Sequence, residues 1–143
     1  MRWKLFFISF LLFNCISTNV YAGNEEFIDQ IHIVPIQSTG IVNIDTQREG
    51  LDLEVDHDVK SGNVYVECFL NHFRFKEDKV GALHEEGEGH IRLYINDEHV
   101  DTLYQSAFII EELPKGEYEI KIVVAQNDRS SYGLEKEFTV MIQ

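Results

Sequence analysis

The chain has 143 residues, 25 of them acidic and 12 Lys or Arg, for a formal net charge of −13 at pH 7. That charge repels phosphate backbones and anionic lipid heads, because binding either depends on many Lys and Arg contacts, so it argues against nucleic acid and membrane surfaces as partners. The length suits one domain with one core.

The N-terminus reads MRWKLFFISFLLF, in which Arg2 and Lys4 precede an apolar run from Leu5 to Phe13. The run is shorter than the roughly 20 residues that span a bilayer. Val20-Tyr21-Ala22 follows, with small or branched residues at the two positions a signal peptidase reads. The sequence therefore predicts a cleavable signal over residues 1–22 and a periplasmic or secreted domain over 23–143, with no membrane insertion after cleavage. A lipid anchor on Cys15 would want small residues before it, where Phe13 and Asn14 stand. Cleavage leaves Cys68 as the one cysteine, so no intramolecular disulfide is available despite the oxidising compartment that export implies.

Short alternating segments then follow one another: QIHIVPI, LDLEVDHD, NVYVECFL, HIRLYIN, EYEIKIVV and KEFTVMI, separated by turn residues. A period of two at this spacing predicts an all-β domain rather than βαβ units. Pro35 assigns the first segment to a sheet edge, because proline cannot donate to a ladder. STG at 38–40, KSGN at 60–63 and PKG at 114–116 are the expected turns. In NVYVECFL the residues Val64, Val66, Cys68 and Leu70 share a face, which predicts a buried structural thiol. In HIRLYIN the apolar Ile91, Leu93 and Ile95 oppose His90, Arg92, Tyr94 and Asn96. In LPKGEYEIKIVV a Pro-Lys-Gly corner leads into Tyr118, Ile120, Ile122 and Val124. A tyrosine at such a corner of an immunoglobulin-like or fibronectin-type sandwich hydrogen-bonds back to the chain it has just left, and Tyr118 is the candidate for that structural role. Together the segments predict an immunoglobulin-like Greek-key β-sandwich of seven to nine strands.

No HExxH, GxSxG, P-loop or paired CxxC occurs, so the compact motifs of zinc proteases, serine hydrolases, nucleotide binding and zinc ribbons are absent. The expected function is non-catalytic binding, with no cofactor and an unidentified protein or small ligand as partner. The histidines supply the competing reading. His84 and His90 flank the acidic stretch EEGEG, and a periplasmic, copper-related site would use His90 with His84 and Glu88. A cupredoxin centre does not fit, because the late Cys-to-His or Cys-to-Met spacing is missing.

The elements NHFRF at 71–75, GHIRLYIN at 89–96, LY at 103–104, LPKGEYEIKI at 113–122 and NDR at 127–129 occur in the order of motifs found in a family of small bacterial exported proteins. The chain resembles that family over about half of residues 23–143. In the family an Asn-x-Phe-x-Phe element leads to Gly-His-x-His-Leu-Tyr, Leu-Tyr, Leu-Pro-x-Gly and Asn-Asp-His. The resemblance implies a compact β-sandwich whose two strand histidines and one later histidine meet on an outer sheet face. Here His90 keeps its place, while Arg92 and Arg129 stand at the other two. Arginine stays protonated and offers only donors, so it ligates no cation. The polar row thus becomes a candidate ligand face of His90, Arg92, Tyr94 and Arg129, with Glu88 and Asp128 as expected counterions.

Overall fold

A computed structural model describes residues 30–37 and 50–143. The signal segment, the Ala22 cleavage point and the turn at 38–40 lie outside the described residues. Among the described residues the chain is all β, with β1 (His32–Ile36), β2 (Leu53–Lys60), β3 (Asn63–Leu70), β4 (Arg74–Phe75), β5 (Glu88–Ile95), β6 (Glu98–Leu103), β7 (Ala107–Glu111), β8 (Gly116–Gln126) and β9 (Ser131–Ile142).

The strands form two sheets. One runs β1-β7-β3-β2. In the other, β8 lies between β5 and β9, while β6 and the short β4 share the opposite edge of β5. Every pairing is antiparallel except that of β4 with β5. Pro35 lies on β1 at the sheet edge, opposite Phe108.

Alternation sends one face of each strand inward. Val64, Val66 and Cys68 of β3, Phe108 and Ile110 of β7, Ile91, Leu93 and Ile95 of β5, and Ile120, Ile122 and Val124 of β8 are all buried in one hydrophobic cluster. A fully buried aliphatic side chain contributes about 1.5–3 kcal/mol. A one-residue slip of β5 would turn out three of them, a loss on the order of 5–9 kcal/mol, comparable with the whole stability of a domain. The register of β5 is therefore firmly set, and with it the identity of the residues on its outer face.

Two tight turns support this register. Ser61-Gly62 (φ 54° and 83°) joins β2 to β3, and Asn96-Asp97 (φ 51° and 65°) joins β5 to β6. Positive φ at both loop positions gives a turn whose twist matches that of the strands. Asn96 is thus a turn residue rather than the end of the polar row, and its side-chain oxygen accepts from Glu119 N at 3.0 Å. At the other corner the buried Tyr118 donates its hydroxyl to the Pro114 carbonyl at 2.9 Å.

Candidate functional site

The start of β5 is built by glycine. A Cβ on Gly89 would stand 2.0 Å from the Ala125 carbonyl oxygen, and one on Gly87 would stand 2.7 Å from that of His72. Only a residue without a side chain lets β5 approach β8 so closely. Between the two glycines Glu88 is buried and held on both oxygens. Arg74 Nη2 lies 3.1 Å from Oε1 and Lys79 Nζ 2.7 Å from Oε2, and Lys79 also reaches Glu85 at 2.9 Å. The Tyr132 hydroxyl donates to the Glu88 carbonyl at 2.8 Å. The Lys79 hydrogen bond, with the charges of Lys79, Arg74 and Lys76, holds the Glu88 carboxyl below the usual range, outweighing its desolvation.

His90 is next along the outer face, with only 2% of its surface exposed. Its ring centroid is 6.0 Å from that of Tyr104, and its buried Nδ1 has no hydrogen-bond partner. Burial pushes the imidazole pKa down, and the charges of Arg92, Arg129 and His99 push it further. Arg92, half-buried, lies over the Tyr94 ring at 5.3 Å, a cation–π arrangement. The Tyr94 ring is 5.3 Å from that of His99, whose Nε2 is 3.3 Å from Thr102 Oγ1. His99 is also shifted down, by burial and then by Arg92.

Arg129 is exposed and holds a left-handed φ of 73° in the turn after β8, where its N–H donates to the Gln126 carbonyl at 3.0 Å. Arg92 and Arg129 thus both act to lower the pKa of the one buried ring.

The expected counterions are engaged elsewhere. Glu88 belongs to Arg74 and Lys79. Asp128 Oδ1 accepts from Ser130 N at 2.9 Å and from Ser130 Oγ at 2.6 Å, and these bonds lower its pKa. Among the described residues, neither Arg92 nor Arg129 has a carboxylate within ion-pair distance.

For the metal reading, His84 is exposed, with its ring 5.4 Å from Tyr132, while both Glu88 oxygens are taken by cations. Among the described residues no group of three or more His, Cys, Asp or Glu side chains is arranged to hold a metal ion.

Three neighbours of this face escaped the sequence reading as site residues. His99 and Thr102 sit on β6, whose pairing with β5 shifts register after Leu93, so no clean period marks them. Asn127 lies inside the NDR motif. It is fully buried, neither side-chain amide atom has a partner, and its carbonyl accepts from Gly81 N at 2.6 Å. Glu88, His90 and Asn127 are the buried polar residues among those described. All three lie at the start of β5 or just beyond the end of its partner β8.

No family model matches the chain, and no curated protein matches it. Among solved structures it is similar to the crystal structure of the Clostridium perfringens spore cortex lytic enzyme SleM, with a TM-score of 0.43 and 14% identity. The similarity covers 64% of this chain and 27% of that one, so the chain spans about a quarter of that enzyme's length.

Proposed function

We propose that the chain is an exported, non-catalytic binding or accessory module with an immunoglobulin-like Greek-key sandwich. Its ligand face is the outer face of β5, formed by His90, Arg92 and Tyr94 with Arg129. The strand order supports the fold assignment. The run β2-β3-β7 matches the A-B-E ladder and β6-β5-β8-β9 the C′-C-F-G ladder of such domains, with β1 beside β7 where a strand D would stand. Tyr118, at the start of the strand equivalent to F, makes the backward hydrogen bond that marks the tyrosine corner.

The observation that carries the functional reading is a buried imidazole, His90, whose Nδ1 has no partner, with Arg92 two residues on along the same face and, among the described residues, no carboxylate within ion-pair distance of Arg92 or Arg129. Folding gains little from this arrangement beyond the Arg92–Tyr94 cation–π contact, and a buried polar atom is left without a protein partner. Residues kept for a ligand are typically neutral or costly for stability. Arg92→Gln and Arg129→Gln are therefore expected to leave the denaturation midpoint unchanged or to raise it. A loss above about 1 kcal/mol, more than an ordinary surface ion pair supplies, would make the arginines structural and remove the reading.

A further inference from the structure

The register of the second sheet sets its outer surface in rows that cross four strands. One row runs Thr102, Arg92, Val123 and Glu135 from β6 through β5 and β8 to β9, and the next runs His99, Tyr94, Lys121 and Glu137. At the centre Arg92 lies over the Tyr94 ring at 5.3 Å, His99 meets that ring edge-on at 5.3 Å, and Thr102 Oγ1 is 3.3 Å from His99 Nε2. Arg92, Tyr94, Thr102 and Val123 are each half-buried. At the rim, Lys121 is held by Asp97 at 2.6 Å and by Glu137 at 3.4 Å. A tyrosine and arginine centre inside a rim of paired charges is the anatomy of a protein-binding patch, whereas small-ligand sites are concave.

Arg92 decides the chemistry of the partner. Stacking on Tyr94 uses the flat face of the guanidinium and leaves its in-plane N–H groups available. Among the described residues none of them has an acceptor, and no carboxylate lies within ion-pair distance. The register neighbours Thr102 and Val123 are uncharged. By contrast, Lys60, Arg74, Lys79 and Lys121 each hold a carboxylate. In a chain where acids outnumber Lys and Arg two to one, a half-buried guanidinium without a counterion matches a carboxylate brought from outside, which it would meet with two parallel hydrogen bonds. The stacking fixes the guanidinium beforehand, so little rotamer freedom is lost on contact. Charges more than about 8 Å away are largely screened at physiological ionic strength, so the net charge disfavours a polyanion but not one carboxylate at contact. Two copies of this chain, each at −13, repel one another.

Resting on the reading that the β5 face binds a ligand, we propose that the ligand is another protein, which lies across β6, β5 and β8 and places one Asp or Glu carboxylate on Arg92.

The test pans a phage-displayed peptide library on the purified protein at pH 7, then titrates the enriched peptides, and free acetate, by NMR. Enriched peptides should share an acidic residue and shift the signals of Arg92, Tyr94, Thr102 and Val123. Arg92→Gln should weaken binding about tenfold or more. Replacing the peptide's acid by its amide should weaken it equally, and the two losses should not add; the peptide-side change reads the contact without altering the protein's fold. Peptides that bind this face without an acid, or that are indifferent to Arg92→Gln, overturn the proposal while leaving the β5 face as a binding surface. So do acetate binding as tightly as the peptides, which would return the face to small anions, and self-association that Arg92→Gln abolishes, which would seat a second copy there. Enrichment confined to another face, or none at all, overturns the proposal together with the reading on which it rests.

Discussion

At His90, burial, the two arginines Arg92 and Arg129, and His99 when protonated act in the same direction on one ring. Its folded pKa lies below the ordinary 6.5, so the unfolded chain binds more protons between that lowered value and 6.5. Stability therefore falls on acidification through that window. Arg92→Gln removes one of the charges and should raise the His90 pKa, as measured by NMR titration. The wild type should then lose more stability than the variant between pH 7 and pH 5.5. His99 reinforces the effect, since Arg92 depresses it as well. An unchanged His90 pKa would show that Arg92 does not act on it. Tyr118 poses a different question at this scale. Tyr118→Phe leaves the Pro114 carbonyl without the hydroxyl that now donates to it, a loss expected to cost about 1–3 kcal/mol. An unmoved urea midpoint would refute that role for the hydroxyl.

Among the elements, β5 is the most constrained, since its N-terminal end depends on a backbone approach that tolerates no Cβ. Gly89→Ala would drive a methyl into the Ala125 carbonyl. The substitution should cost about 1–3 kcal/mol or more, and hydrogen exchange should rise first in the β5–β8 ladder. A variant as stable and as protected as the wild type would contradict the close approach. The six alternating segments each lie on a strand, because a half-buried strand writes its period of two directly into composition. β7 was harder to read. Ala107, Phe108 and Ile110 are all buried, so its sequence is a plain apolar run that alternation cannot mark. The irregular pairing of β6 with β5 hid its period in the same way. At the site, Arg92 and Tyr94 could be placed by parity alone. The partners of Glu88 could not, because Arg74 and Lys79 arrive from β4 and from a loop whose path no local pattern encodes. Asn127 illustrates the same limit, since nothing in Asn-Asp-Arg announces that the first residue is buried.

For the whole molecule, the export proposal makes a direct prediction: N-terminal sequencing of the mature protein should begin Gly-Asn-Glu-Glu-Phe. A lipid-modified Cys15 at the terminus would contradict it. The thiol that export would carry into an oxidising compartment is sealed. Cys68 is 1% exposed, and burial pushes its pKa up to about 12. It faces Val55 across the β2–β3 ladder, and its N–H is bonded to the Ser106 carbonyl at 2.7 Å. A thiol reagent should therefore leave the native mature domain, which lacks Cys15, unlabelled at pH 7 and modify it fully in denaturant; rapid native labelling of Cys68 would refute the seal. The same burial gives the chain a clock of its own. With one sulfur locked between the sheets, trapping kinetics count how often the sandwich comes apart, so the lifetime of the folded state can be read without attaching any probe.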